Sequence, residues 1–167
     1  MKLDSLHKLW VHELKDLHSA EKQILVALPK IIAATTHEEL KSALSEHLEQ
    51  SKGHVTRLES IFKDLAISPA GHHCKGMEGV LAEGKEMLEA QADPSIRDAG
   101  IISACQRVEH YEIAGYGTAG AYAELLGEQS AAALLQLTLD EESASDTKLS
   151  RLARTTVNIE AMAVAQS

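Results

Sequence analysis

Apolar side chains recur at intervals of three and four residues along four long stretches of the chain, which is the period of an amphipathic α-helix. The first stretch runs from about Leu3 to Ala34, and the second ends near Leu65. The third covers about Ser95 to Leu126, and the fourth about Gln129 to Asn158. Pro29 lies in the last third of the first stretch, where we expect it to bend or interrupt the helix.

The connections between these stretches predict how the helices are arranged. Short breaks at Thr36 and Gly127 make the first and second helices, and the third and fourth, antiparallel neighbours. The middle connection contains a loop at 66–75 and a shorter helix from about Met77 to Gln91. Two helical hairpins joined by one long crossover form the ferritin-like topology, whereas a plain up-down bundle, the alternative, needs no crossover.

We therefore predict an all-α fold: a ferritin-like four-helix bundle with a short extra helix in the crossover between helices two and three, as a single domain over residues 1–167. The composition agrees, because aromatic residues make up only 3% and the chain has three prolines. Ala, Leu, Glu and Lys are abundant, and these residues favour helices. The core should be aliphatic.

The charge excludes some function classes. Lys and Arg number 16 against 25 acidic residues, a formal net charge of -9, which disfavours binding to nucleic acid or to an anionic membrane surface. The start of the chain has no apolar signal core, and no run approaches the length of a membrane span. We expect a cytoplasmic protein.

Several carboxylates lie on the apolar stripes of the predicted helices. Glu21, Glu112 and Glu142 occupy core-facing positions in the first, third and fourth helices, and Glu109 and Asp146 lie one turn away. A single such residue is usually a boundary residue that is exposed or paired with a lysine. Three near mid-bundle would repel one another strongly unless cations compensated them. Oxygen-rich sites suit iron or manganese.

The second helix has a different pattern. Ser51 occupies its stripe position, and Glu49 should face solvent because it is turned about 160° from Ser51. His54 lies one turn after Ser51, so it is either a metal ligand from this helix or a partly exposed histidine. The candidate metal ligands are therefore Glu21, His54, Glu109, Glu112, Glu142 and Asp146.

Four segments resemble the YciE/YciF stress proteins, over about Leu6 to Asn158. They are 16–23 (DLHSAEKQ), 74–79 (CKGMEG), 108–117 (VEHYEIAGYG) and 139–142 (LDEE) with Asp146. The resemblance implies a bundle of five helices, a homodimer, a dinuclear metal centre and a ferroxidase-like role in bacterial stress. By matching position, it makes Glu21, Glu112 and Glu142 metal ligands, with Glu109 and Asp146 as close companions.

The chain departs from the wider ferritin-like pattern, which places Glu-x-x-His on helices two and four. Residues 51–54 keep the histidine but begin with Ser51, and residues 142–145 keep the glutamate but end with Ser145. One metal, or a labile pair, is therefore an alternative to two tightly bound irons.

Three functions remain open. A di-iron site would oxidise Fe(II) with dioxygen or peroxide, and a manganese pair would instead favour peroxide dismutation. The third possibility is a non-enzymatic dimeric stress bundle with a vestigial or absent metal site. Tyr116, one turn after Glu112, is a hydrogen-bond donor to the site, an electron relay or a boundary tyrosine.

Overall fold

The computed structural model describes residues 3–164, so residues 1–2 and 165–167 of the predicted domain lie outside it. The helices are α1 (Leu6–Ala34), α2 (Glu38–Asp64), α3 (Lys75–Glu89), α4 (Pro94–Leu126), α5 (Gln129–Leu152) and α6 (Asn158–Val164). A π-helical turn, Ala153–Val157, joins α5 to α6. The described residues contain no strand, and the predicted all-α class is confirmed.

The four long helices close into a ring. Helix α1 contacts α2 and α4, and α5 contacts α2 and α4, so α1 and α5 lie diagonally opposite. Helix α3, in the crossover, packs against α1 and α4. Helix α6, which follows α5, also packs against α4. This is the predicted ferritin-like bundle with its extra crossover helix. None of the helices between residues 3 and 164 combines the length and apolarity that crossing a membrane requires.

The hydrophobic core consists of two clusters with a polar layer between them. One cluster includes Trp10, Leu14 and Phe62, and the other includes Leu40, Ile101 and Leu152. Each long helix contributes to both clusters. The buried Glu and His residues of α2, α4 and α5 come between the two contributions along the chain, and Glu21 of α1 lies at the border between them, directly after Ala20. The polar layer therefore lies near the middle of the bundle.

Helix boundaries follow local capping signals with a few differences from prediction. Helix α1 continues through Pro29 to Ala34, so the predicted interruption is wrong. Pro29 is exposed, and a carbonyl that it frees on this face can bond to water. Gly127 adopts φ 78° and ends α4 as predicted. The last helical stretch does not stop at Asn158, because α6 continues to Val164.

Asp98 anchors the turn between α1 and α2 to α4. Its carboxylate is buried and accepts hydrogen bonds from Thr36 N at 3.0 Å, Thr36 Oγ1 at 2.6 Å and His37 N at 2.8 Å. His37 is itself the N-cap of α2, where its ring accepts from Leu40 N. One carboxylate thus accepts hydrogen bonds from donors that would otherwise have no partner within the protein at this end of the bundle.

We predict that Asp98→Ala lowers the free energy of unfolding by about 2 kcal/mol, because it removes a buried acceptor shared by two backbone N–H groups and a hydroxyl of the α1–α2 turn. Urea unfolding followed by circular dichroism measures the change. Asp140→Ala, at an exposed carboxylate that accepts only from Gln136, is the control and should stay within about 0.5 kcal/mol. Equal losses in the two variants would contradict the anchoring role.

Candidate metal centre

The polar layer draws side chains from all four long helices. Helix α1 supplies Glu21, α2 supplies His47 and His54, α4 supplies Glu109 and Glu112, and α5 supplies Glu142. All six are buried, with relative exposures of 3% or less. They are Glu21, His47, His54, Glu109, Glu112 and Glu142.

These side chains form two overlapping groups of four. Glu21 and His54 share the first group with Glu112 and Glu142, and His47 and Glu109 share the second with the same two glutamates. Within each group, one ligand atom per residue lies within 4.8 Å of the others. Glu112 and Glu142 are therefore common to both groups, and each group could hold a cation with the help of one further glutamate and one histidine.

One ring nitrogen of His54 faces the other residues of the first group, and the second ring nitrogen faces Glu141, nearer the surface. Its Nδ1 lies 3.0 Å from Glu21 Oε1 and 3.1 Å from Glu142 Oε1. Its Nε2 lies 2.9 Å from Glu141 Oε2. A carboxylate behind a histidine fixes the ring tautomer and orientation, as is usual for metal-binding imidazoles.

Arg57 holds Glu141 in place. Its guanidinium donates to both carboxylate oxygens, at 2.6 and 2.8 Å, and also to Thr138 Oγ1 at 3.1 Å. The Arg57 hydrogen bonds lower the pKa of Glu141, so this carboxylate is ionised and accepts from His54 Nε2–H. When the ring gives up the proton on Nδ1, the lone pair of this nitrogen is directed at the centre.

His47 has an analogous position in the second group. Its Nδ1 lies 3.4 Å from Glu109 Oε1 and 3.3 Å from Ser145 Oγ, and the Ser145 hydroxyl donates to Glu109 Oε1 at 3.1 Å. Burial lowers the pKa of His47 in spite of the neighbouring carboxylates of Glu142 and Glu21. A neutral imidazole is the form that binds a metal.

Tyr116 contacts the first group from α4. Its hydroxyl donates to Glu21 Oε1 at 2.5 Å, and its ring lies edge-on to His54 with centroids 6.1 Å apart. Burial, and then the charges of Glu21 and Glu112, raise the pKa of Tyr116 well above its usual value, so the phenol keeps its proton. Of the three roles considered for Tyr116, the structure supports the hydrogen-bond donor to the site.

Unpaired polar atoms concentrate at this centre. Among residues 3–164, buried side-chain atoms without a hydrogen-bond partner include both carboxylate oxygens of Glu112 and of Glu142. One oxygen each of Glu21 and Glu109, Ser51 Oγ and His54 Nδ1 are also unpaired, and the exceptions elsewhere are Trp10 Nε1 and Arg97 Nε. Buried polar groups are normally paired, so this donor set fits cations bound between the four helices.

The pKa values of the buried residues show that it is unfavourable to keep all these carboxylates charged without a bound cation. Burial, together with neighbouring Glu142, raises the pKa values of Glu109 and Glu112 well above normal. Burial also opposes charging of His54, but contacts with Glu142 and Glu21 outweigh it and raise the pKa of His54 to about 10. Without a metal, protons therefore replace part of the positive charge that the carboxylates need.

Comparison with known families places the chain. The model of the family described as "Domain of unknown function (DUF892)" matches residues 5–162. The chain belongs to the DUF892 family. It is similar to protein YciF of Escherichia coli (strain K12), with 41% identity over 159 residues, covering 95% of this chain and 96% of that protein. The resemblance to the YciE/YciF stress proteins is thereby confirmed.

Solved structures of similar proteins agree with the fold. The crystal structure of the E. coli stress protein YciF matches with a TM-score of 0.90, covering 93% of this chain and 99% of that one, at 41% identity. YcfI from Rhodopseudomonas palustris matches with a TM-score of 0.86 at 40% identity, covering 89% and 95%. A protein from Xanthomonas campestris pv. campestris, at 18% identity, has a TM-score of 0.78 and covers 97% and 99%, so it shares the fold.

The DUF892 chain brings together five of the six residues predicted as ligands. Glu21, His54, Glu109, Glu112 and Glu142 belong to the two groups, whereas Asp146 belongs to neither. Asp146 is half-buried, accepts a hydrogen bond from Gln106 Nε2 at 2.9 Å, and lies 3.5 Å from His110 Nε2. Glu49 is exposed, as predicted.

Sequence reasoning missed His47 and the pair formed by Arg57 and Glu141. His47 lies four residues before Ser51 and seven before His54, so the three residues share one face of α2. That spacing is a signal that could have identified it. Both histidines of the two groups thus come from α2, and His47 supplies the second imidazole that the fourth long helix lacks.

We predict that metal binding by this DUF892 protein releases protons and strengthens as pH rises. His54, whose pKa is raised to about 10, holds a proton at pH 7 without metal that a bound cation must displace. The raised pKa values of Glu109 and Glu112 favour protonation of these carboxylates as well. Affinity for Mn²⁺ should rise about tenfold per pH unit for each proton released. Calorimetric titrations in buffers of different ionisation enthalpy measure this number, and a value of zero would contradict the protonated metal-free centre.

Proposed function

We propose that this protein binds two metal ions, most naturally iron, in its polar layer and uses them to oxidise Fe(II) or to consume peroxide. The observation that carries the proposal is the pair of four-residue groups sharing Glu112 and Glu142. Two carboxylates common to both groups can hold two cations close together, as two-metal sites require. The unpaired buried oxygens of these glutamates support the same conclusion.

The chemistry of the donors favours iron or manganese. The two groups offer carboxylates and imidazoles and no thiolate, and both Cys74 and Cys105 are free cysteines outside the groups. Such a set suits Fe and Mn better than thiolate-preferring metals. An iron pair would supply two electrons to an oxidant, and a manganese pair would cycle with peroxide.

The protein's own residues would orient the centre and control its protons. Glu141 and Arg57 fix the His54 ring, and the Tyr116 hydroxyl fixes one oxygen of Glu21. Ser51 is fully buried between His47 and His54 along α2, and its hydroxyl has no partner. It can therefore donate to dioxygen, peroxide or water that enters between the two groups.

We also propose a role in a bacterial stress response and assembly as a homodimer. The stress role is supported by similarity to a protein described as the E. coli stress protein YciF. Exposed apolar side chains at Leu125 (78%) and Leu137 (52%) give α4 and α5 surface that a second copy can cover.

We predict about two iron or manganese ions per chain after anaerobic loading of protein purified without an affinity tag. Glu112→Gln combined with Glu142→Gln should lose both, because these residues serve both groups. Glu49→Gln, at an exposed glutamate of α2, is the matched control and should retain both. Elemental analysis gives the stoichiometry, and Fe(II) oxidation and peroxide consumption are then assayed on the loaded proteins.

Failure to bind metal in any of these proteins would overturn the metal proposal and leave the non-enzymatic stress bundle. Metal bound at two ions per chain without either activity would instead overturn the catalytic half of the proposal. Faster turnover of peroxide with manganese than with iron would identify peroxide dismutation as the reaction.

We predict that the two halves of the centre can be separated. His54→Ala should remove about one of the two ions and His47→Ala the other, whereas Asp146→Asn should retain both because Asp146 lies outside the two groups. Electron paramagnetic resonance of Mn²⁺-loaded protein distinguishes a coupled pair from a single ion. Loss of both ions in Asp146→Asn would show that the centre extends beyond the two groups.

A further inference from the structure

A groove of about 560 Å³ opens between α1, α3 and α4. Its lining is mostly aliphatic and includes Val26, Ile31, Leu81, Leu88, Ile101 and Val108. Small-molecule sites typically have this size, with mainly apolar walls and a few polar groups that orient the ligand. None of the residues assigned to the two metal-binding groups lines this groove.

The crossover helix forms the outer wall of the groove without filling it. Met77 is the only residue of α3 that is buried, and Val80, Leu81 and Leu88 remain partly exposed although they face the core. Helix α3 approaches α4 closely at Gly84, where an added Cβ would lie 3.4 Å from Ala104 Cβ. The helix is thus held against α4 while its apolar face stays open toward α1.

The floor of the groove leads toward the metal centre. A second cavity of about 10 Å³ shares Ala27, Ile31 and Cys105 with the groove and is also lined by His47 and Glu109. This small cavity therefore lies between the groove and the His47–Glu109 end of the polar layer, and the residues that the two cavities share are apolar.

The charge of the groove is opposite to that of the chain. Lys22, Lys30 and Lys85 line it, against one acidic residue, Glu78, whereas the whole chain carries a net charge of -9. Lys22 reaches Glu59 only at 3.9 Å. Lys85 Nζ lies 3.3 Å from Glu89 Oε1 in an exposed pair on α3, whereas Lys30 has no ion-pair partner within residues 3–164. The unpaired Lys30 and the loosely paired Lys22 favour an anionic ligand.

We propose that this groove binds a single-chain amphipathic carboxylate, with its head group among Lys22, Lys30 and Lys85 and its apolar tail on the floor that leads toward His47 and Glu109. The apolar lining accounts for the tail, and the local excess of lysines accounts for the carboxylate. Binding at this site does not depend on the metal ions of the proposed function. It adds a class of organic ligand that the metal-binding groups do not require.

Calorimetric titration of the metal-free protein with hexanoate, octanoate and decanoate tests the proposal. We expect one ligand per chain, with affinity rising about fourfold for each methylene that the groove buries. Nonyltrimethylammonium, a cation with the same alkyl tail as decanoate, should bind at least tenfold more weakly than decanoate. Because no metal is present, the result is separate from success or failure of metal binding.

Two sets of variants locate the site. Lys22→Gln combined with Lys30→Gln should weaken decanoate binding about tenfold, and Ala82→Trp, at an exposed groove position, should block it. Lys41→Gln combined with Lys52→Gln is the matched control, because these lysines lie on α2 beside Glu38 and Glu49. The control pair should leave the affinity unchanged.

Three results would overturn the proposal: no saturable decanoate binding, equal binding of the cationic amphiphile, or equal weakening by the control pair. The main competing occupant is a second copy of the chain. In that case Val26→Asp, at a side chain that is 65% exposed, would convert a dimer to a monomer in sedimentation, and decanoate would not bind.

Discussion

Mutual repulsion among buried carboxylates is the constraint on which the rest of this structure depends. Glu21, Glu109, Glu112 and Glu142 converge between two hydrophobic clusters, where water cannot screen their charges. Only protons, the histidines of α2 and bound cations can compensate them. Three arrangements favour bound cations over protons. Glu141 behind His54 is ionised, the Tyr116 hydroxyl donates to Glu21, and His47 is neutral.

The two hydrophobic clusters offset the cost of that arrangement, because they pack the four long helices together on both sides of the polar layer. Trp10 and Phe62 close one end, and Asp98 fastens the other by satisfying the donors of the α1–α2 turn. Rigid helices position catalytic or binding groups more accurately than loops do. The centre is consequently built from side chains whose backbone has little freedom to relax when a proton or cation leaves.

Much of the fold and part of the centre could be predicted from sequence, because periodicity places Glu21, Glu112 and Glu142 on core faces. Periodicity could not exclude Asp146, which shares a side of its helix with Glu142 but bonds instead to Gln106 on α4. His47 follows the same period as His54, but the Glu-x-x-His spacing could not identify it because that spacing places Ser51, not His47, with His54. The groove depends on how α3 docks on α1 and α4, and no local pattern encodes that docking.

Every long helix of the bundle contributes a side chain to the two groups, and this affects the stability and the amount of the protein in a cell. Cations bound there would act as a cross-link that joins all four helices at one level. Their binding free energy would add directly to folding stability, and the unfolded fraction that proteases degrade would fall as metal supply rises. The cellular amount of the protein would then report the concentration of available metal, independently of how strongly its gene is transcribed.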